Sequence, residues 1–444
     1  MNLKIPKDVK LIISTLENRG FEAFIVGGCV RDALLGIEPH DWDICTDARP
    51  NQIKDCFQGY GTVDIGIRHG TVGVIINKQP YEVTTYRIDG DYTDNRHPDS
   101  VSFTTDVVRD LARRDFTVNA LAYSESRGVV DPFNGIDDLK NGIIRCVGNP
   151  DDRLREDALR ILRALRFASR FGFRLESETA NSVKTNAVLL SNIAAERICS
   201  EFTKILTGEF AEKILNGFRE VIAVFIPEIK PCFDFDQRTI HHKYDVYRHI
   251  THSVGIIKNE PVLRLSMFFH DIAKPLVATE DTNGTRHFKG HQQASADITQ
   301  NVMRRLKYPN AVIDDCVKLV LYHDVRFNGS KKQVKRLMSK IGEELMPSLF
   351  QVMLADLFSQ SDYMRQEKLN SVLTAEKQYQ SILNENECFS LKELKINGND
   401  LINSGITDGK TIGAVLNTLL YEVIDEKIPN KKTALLKRAE QLTH

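Results

Sequence analysis

Short apolar runs broken by turn signals fill the first third of the chain, and longer helical periodicities fill the rest. LIISTLENRG places its apolar residues on one helical face and stops at Gly20, as a helix C-terminus does. AFIV (23–26) is short and continuously apolar, as a buried strand is, and VRDALLG (30–36) reads as a helix closed by Gly36. DWDICT (41–46), GTVGVII (70–76) and YEVTTYR (81–87) have strand chemistry. From about Asp137 the segments become long, charged and helical, with one cluster of turn signals in NGFREVIAVFIPEIKPCFDFDQRT (216–239). A histidine-rich helical stretch follows over roughly 236–340, then a lysine-rich helical end. The pattern predicts an α+β chain with its strands at the front.

Composition narrows the class. With 42% hydrophobic and 27% charged residues among 444, the chain is globular. No apolar run approaches the roughly 20 residues of a membrane span, and MNLKIPKDVK lacks the apolar core of a secretory signal. The eight cysteines form no C-x-x-C pair, which suits reduced, mostly buried thiols and a cytoplasmic location. Lys plus Arg is 59 against 60 for Asp plus Glu, so a nucleic-acid surface, if present, is local.

Two constellations carry chemistry. In the first, Gly27-Gly28 follows an apolar strand and precedes a helix with Arg31, an arrangement that lets backbone N–H groups approach a phosphate. Asp41 and Asp43 are two apart on DWDICT and point to the same side. Side by side they repel unless a cation lies between them. Glu82, on a later strand, adds a third carboxylate if the two strands are neighbours, and such an oxygen set suits Mg²⁺.

GGCVRD, DWD, RRDFTVNALAY, DPFNGIDDLKNGIIRCVG and EDALRILRALRFASRFGF, in this order, resemble the class II tRNA nucleotidyltransferases, the bacterial CCA-adding enzyme and poly(A) polymerase group. The resemblance is dense over about 20–175. It implies a polymerase-β-like head followed by helical neck, body and tail, here divided as 1–140, 141–235, 236–345 and 346–444. It also implies Asp41 and Asp43 as Mg²⁺ ligands and Gly28, Arg31 and Arg114 as nucleotide contacts. Glu82 is taken as the third carboxylate, with Asp115 its competitor. The polar segment DGDYTDNRHPDS (89–100) matches a loop that assists addition of the terminal A, which disfavours an enzyme adding only C.

On a helical wheel of EDALRILRALRF, Leu154, Ile161, Leu165 and Ala168 fall on one side, opposite Glu156, Arg160, Arg163 and Arg170, with Asp157 and Arg166 at the margins. Asp157 and Arg160, three apart, are expected as neighbours on one helix. Cytosine and adenine each present an amino donor beside a bare ring nitrogen, whereas uracil and guanine present the reverse. A carboxylate only accepts and a guanidinium only donates, so Asp157 with Arg160 suits C and A. The resemblance assigns nucleotide contacts to Asp157, Arg160, Arg163 and Arg166.

The second constellation is an ordered series, His249, His270-Asp271, His291 and His323-Asp324. It resembles the HD metal-dependent phosphohydrolases, an all-helical fold, and implies a site for Mn, Fe, Ni, Co or Zn, with Lys274 near a bound phosphate. The chain ends with Lys431, Lys432, Lys437 and Arg438 against Glu440, a basic helix suited to tRNA phosphates. The leading expectation is CCA addition to the 3′ end and acceptor arm of tRNA from CTP and ATP, with no membrane partner. Its alternatives are a poly(A) polymerase or A-adding enzyme, and an HD phosphohydrolase whose front half only binds a regulatory nucleotide.

Overall fold

The computed structural model describes residues 3–90 and 100–443. The chain forms two compact units, Met1–Pro227 and Glu228–His444. Most of the expected 89–100 loop lies outside the described residues. Its two feet, β6 (Arg87–Asp89) and β7 (Val101–Phe103), pair antiparallel.

In the first unit, β1 (Ala23–Val26), β2 (Ile44–Thr46), β3 (Gly61–Gly66), β4 (Thr71–Ile76), β5 (Gln79–Thr85), β8 (Ala122–Ser124) and β9 (Gly128–Val130) make a sheet ordered β3-β4-β5-β2-β1-β8-β9. Neighbours run antiparallel except β2 and β5, which are parallel with Ile44 opposite Val83. Strand β2 is shorter than expected, since Asp41 and Asp43 precede it. The Asp43 carbonyl still accepts from Val26 N–H at 3.0 Å, so the extended path begins before the strand does.

Helices α1 (Lys7–Asn18), α2 (Gly28–Leu34), α3 (Pro50–Cys56), α4 (Val107–Ala112) and α5 (Gly135–Asn141) belong to this part of the unit. The α1 helix buries Val9, Ile12, Ile13 and Leu16, the one-face spacing read from the sequence, and Gly20 closes it at φ +87°. Phe24, Val26, Cys45, Tyr86, Leu111, Ala120, Ala122 and Val147 form the core beneath the sheet.

The arginine-rich segment departs from the single helix expected. It forms α6 (Pro150–Glu156) and α7 (Leu159–Phe171), with Asp157 extended between them at φ −135°, ψ 102°. The cause is local: the Asp157 carboxylate accepts from Leu159 N–H at 3.1 Å and so replaces a helical bond. Nor is the arginine side a solvent face, because Arg160 is buried along with Leu159, Leu162 and Phe167. Helices α8 (Ser177–Thr185), α9 (Ala195–Leu206), α10 (Ala211–Gly217) and α11 (Arg219–Phe225) complete the unit.

The second unit is helical: α12 (Val246–Ile256), α13 (Pro261–Phe269), α14 (Lys274–Val277), α15 (His291–Arg305), α16 (Asn310–Tyr322), α17 (Lys331–Ile341), α18 (Met346–Ser359) and α19 (Arg365–Asn384). Helix α13 packs against α12, α16 and α18, burying Leu263, Leu265, Met267, Phe268 and Phe269. Helices α20 (Gly398–Asn403), α21 (Gly409–Ile424) and α22 (Lys432–Thr443) share a separate core that includes Leu401, Leu419 and Leu435. All eight cysteines are unpaired; Cys56 and Cys199 are half-buried and the others buried. Among the described residues no helix is long and apolar enough to cross a membrane.

Gly135 packs directly on the Thr117 carbonyl, at the turn Thr117–Asn119. A methyl group there forces that turn outward, so Gly135→Ala is expected to lower the unfolding free energy by about 1–3 kcal/mol. Gly409→Ala, at an open helix start, should leave stability unchanged or slightly raised. Equal denaturation midpoints for the two variants would contradict this packing constraint.

Candidate functional site

The first site lies where the β1–α2 turn meets the ends of β2 and β5. Gly27 has φ +79°, and a Cβ built on it would lie 2.7 Å from Arg114 Nη1. The glycine therefore serves both the turn and the close approach of a guanidinium. Parallel pairing sets Ile44 opposite Val83. One residue back on each strand brings Asp43 alongside Glu82. A cavity of about 240 Å³ is lined by Asp43, Glu82, Thr71, Thr84, Arg87, Arg113 and Arg114.

Electrostatics links the three carboxylates. Crowding by neighbouring atoms pushes the Asp43 carboxyl up although the side chain keeps solvent access; Arg114 opposes the shift and Asp41 adds to it. Burial pushes Glu82 up too, and Asp43 and Asp41 push it further. Three carboxylates close enough for Asp41 to act on Asp43, and for both to act on Glu82, fit a divalent cation.

Asp115, the competitor, is held elsewhere. It accepts from Phe116 N–H at 2.8 Å and Asn119 Nδ2 at 2.9 Å, and Arg163 Nε lies 2.7 Å away. Burial works to raise its pKa, but Arg163 and the Asn119 hydrogen bond outweigh that and hold the carboxyl well below its usual range. Asn119 also accepts from Arg31, which is buried and paired with Asp32 at 2.6 Å. Gly28 begins α2 beside this arginine.

The helix break changes the base-reading pair. The side chains of Asp157 and Arg160 are paired elsewhere, although Arg160 N–H donates to the Asp157 carbonyl at 2.9 Å. Asp157 Oδ2 meets Arg197 Nη2 from α9 at 3.1 Å. Arg160 donates to Glu156 at 2.6 Å and to the carbonyls of Arg153 and Arg113. Arg166 meets Glu201 at 2.8 Å. Arg31, Arg163 and Arg166 all lie over the Phe167 ring, at 4.9, 5.6 and 4.4 Å from its centroid. Sequence reading missed Arg197 and Glu201, which stand 24 and 28 residues beyond the end of the preceding motif at Phe173 (197 − 173 and 201 − 173) and are recognisable only by their partners.

The second site lies inside the helical unit. His249 comes from α12, His270 and Asp271 from the end of α13, His291 from the first turn of α15 and His323 from the end of α16. His270, His291 and His323 each direct Nδ1 at the carbonyl three residues earlier, at 2.7, 2.8 and 2.7 Å. A carbonyl only accepts, so each Nδ1 carries the proton and each Nε2 offers a lone pair, the state of a metal-binding imidazole. His249 Nε2 and His270 Nε2 face each other at 3.1 Å. Asp271 is buried, yet neither oxygen accepts a well-aligned hydrogen bond. These features fit a cation. Asp324 is outside the group, and its carboxylate accepts from Gln292 at 3.1 Å instead. Asp356 of α18 takes its place, 3.0 Å from His249 Nε2. It lies in the apolar run MPSLFQVMLADLFS, and an acid amid such residues was the available signal.

At the basic end, Lys432 pairs with Asp400 and Arg438 with Glu422. Lys431 and Lys437 have no ion-pair partner among the described residues.

Comparison with known proteins matches a poly A polymerase head domain over 23–145, a probable RNA- and SrmB-binding site of polymerase A over 172–233, and a putative tRNA nucleotidyltransferase domain 2 over 291–439. A CCA-adding enzyme of Ligilactobacillus salivarius is 34% identical over 442 residues, covering 99% of this chain and 98% of the relative. One from Levilactobacillus brevis is 33% identical over 428 residues, covering 96% and 95%. The crystal structure of a Bacillus stearothermophilus CCA-adding enzyme in complex with CTP superposes with a TM-score of 0.73 at 27% identity, covering 98% of this chain and 97% of that one. With full-length likeness at this level, and a carboxylate site in the matched head, the chain belongs to the class II CCA-adding enzymes, the tRNA nucleotidyltransferases with a polymerase-β-like α+β head.

Proposed function

We infer that this protein adds C, C and A to the 3′ end of tRNA from CTP and ATP without a nucleic-acid template, working in the cytosol. The observation that carries the reading is the meeting of Asp41, Asp43 and Glu82 with the glycine turn and Arg114. Asp41 and Asp43, with Glu82, are the residues to hold Mg²⁺. Bound there, the metal stabilises charge on the reacting phosphates and acidifies the attacking hydroxyl.

The chain's own groups do the rest. The N–H groups of the Gly27-Gly28 turn and the Arg114 guanidinium receive the triphosphate. Arg31, Arg163 and Arg166 line the approach, stacked around Phe167. Asp157 and Arg160 read the base. Asp157 exchanges Arg197 for the amino group of C or A. Arg160, held by Glu156 and two carbonyls, directs a donor to the ring nitrogen. U or G would set carbonyl against carboxylate and N–H against guanidinium, leaving charged groups unpaired at a cost of several kcal/mol. Lys431 and Lys437 supply part of the grip on tRNA phosphates.

A second activity is supported by the buried histidine–carboxylate cluster. His249, His270, Asp271, His291, His323 and Asp356 are the residues to hold a transition metal such as Mn, Fe, Ni, Co or Zn. Lys274 Nζ, 2.6 Å from Asp271, stands ready for a phosphate. This cluster would give the HD-like unit phosphoester hydrolysis.

Asp43→Asn is expected to reduce incorporation on tRNA lacking its CCA end by at least about a hundredfold, with the fold intact. Incorporation within tenfold of wild type would overturn the head assignment. Supplying CTP and ATP separately distinguishes CCA addition from A-only or poly(A) synthesis: the CCA reading expects two C residues from CTP alone.

Asp157→Ala should slow CTP and ATP and relax discrimination against UTP and GTP by roughly tenfold to a hundredfold in single-turnover incorporation. Unchanged nucleotide ratios in the folded variant would place base choice elsewhere.

For the second activity, metal-loaded protein should hydrolyse a chromogenic phosphoester, and His270→Ala should lose this while retaining CCA addition. Equal hydrolysis by the wild type and the variant would exclude the cluster as its source.

A further inference from the structure

The outer strands of the head sheet carry an apolar face that the mechanism above leaves unused. Val63 lies opposite Gly73, and Gly73 opposite Glu82, across β3, β4 and β5. Directly opposed residues share a face, so Val63 stands on the side of the sheet that bears the Glu82 carboxylate. Ile65 reaches the same side, since its Cδ1 lies 2.6 Å from where a Cβ on Gly73 would stand. Thr71 and Thr84, opposed in the same way, join their hydroxyls at 3.0 Å and line the carboxylate cavity. Asp64, between Val63 and Ile65, turns to the other side and pairs with Lys54 of α3 at 2.7 Å. Val72, Val74 and Val83 alternate to that other side and are fully buried. By contrast, Val63 and Ile65 are 49% and 48% exposed, beside a site that handles charge.

We propose that Val63 and Ile65, flanking Gly73, form the platform on which the terminal nucleoside of the tRNA 3′ end rests while its hydroxyl attacks. The proposal rests on the nucleotidyl-transfer reading given above and deepens it. Direction supports it. In phosphoryl transfer the attacking and leaving oxygens lie roughly in line through phosphorus. The glycine turn after β1 and Arg114 hold the end that leaves as pyrophosphate. The sheet order β3-β4-β5-β2-β1 sets that turn on one side of Asp43 and Glu82 and the apolar face on the other. The acceptor hydroxyl therefore comes from the side of β4 and β3. Strands are spaced about 4.8 Å apart, so β3 stands roughly 10 Å from β5, within reach of a base whose ribose lies at Glu82.

The chemistry of the growing end supports it as well. The last base of the acceptor changes at each addition, from whichever base precedes the CCA end to C and then to C again. A surface that holds all of them in turn cannot depend on hydrogen-bond donors and acceptors. Aliphatic side chains have neither, and they cover the face of any base alike. Base choice is left to the incoming nucleotide, on the other side of the carboxylates. Gly73 keeps the middle of the platform low, because a methyl group there would meet the Ile65 side chain and lift it.

The test is single-turnover incorporation from CTP by the full-length protein. Wild type and a double variant, Val63→Ser with Ile65→Ser, each act on two acceptors: tRNA lacking its CCA end, and the same tRNA with an abasic ribose as its last residue. Wild type should slow by roughly tenfold on the abasic end, the loss of about 50 Å² of buried apolar contact. The double variant should be slow on the natural end and lose nothing further on the abasic one. Its affinity for CTP in the absence of tRNA should equal that of wild type. Ile65→Val, which keeps the apolar surface, should retain the wild-type dependence on the base.

Equal sensitivity of wild type and double variant to loss of the base would overturn the platform while leaving nucleotidyl transfer intact. A wild-type dimer that the double variant splits would also overturn it, because the face would then be a contact between copies. A wild type that adds C to neither acceptor would overturn the nucleotidyl-transfer reading on which the platform rests.

Discussion

A buried carboxylate organises the nucleotide-handling unit. Asp115 reaches its low-lying charged state only because Arg163 and Asn119 meet it inside the protein. Arg163 comes from α7 and Asn119 from the turn after α4, and Asn119 passes the connection to Arg31 at the start of α2. One negative charge thereby ties the arginine helix to the element that follows the glycine turn. Removing either partner leaves a charge inside without compensation, which is why such networks tolerate little change.

The same logic governs the rest of α7. Its four arginines, Arg160, Arg163, Arg166 and Arg170, are matched in turn to Glu156, Asp115, Glu201 and Asp32, and Phe167 provides a ring face shared by two of them. A chain of net charge −1 can in this way hold concentrated positive charge without a basic surface.

Much of this was legible in the sequence. Periodicity and glycine stops located α1, β1, α2, the strand that follows Asp43 and the strand bearing Glu82, because each buries apolar side chains. Edge strand β3 was not legible: Val63 and Ile65 are about half exposed, so no buried face marks it. The break at Asp157 was hidden too. Helical periodicity continues across it, and only the competition of one side chain for a backbone N–H interrupts the helix. In the second unit the histidine–aspartate doublets were visible, whereas Asp356 carried only the weak signal of an acid in an apolar run, and the imidazole it faces appears only in three dimensions. Asp324 illustrates the converse, a residue in the right doublet whose carboxylate is taken up by Gln292 instead.

The fit between Gly27 and Arg114 bears on what position 27 can carry. The guanidinium occupies the volume that any side chain at 27 would need, 2.7 Å from where its first carbon would stand. A side chain at 27 would have to displace the tip of that flexible side chain, and it would also have to hold a left-handed backbone at φ +79°, which is the larger penalty. The backbone angle, more than the neighbouring guanidinium, therefore holds position 27 to glycine, and with it the shape of the turn between β1 and α2.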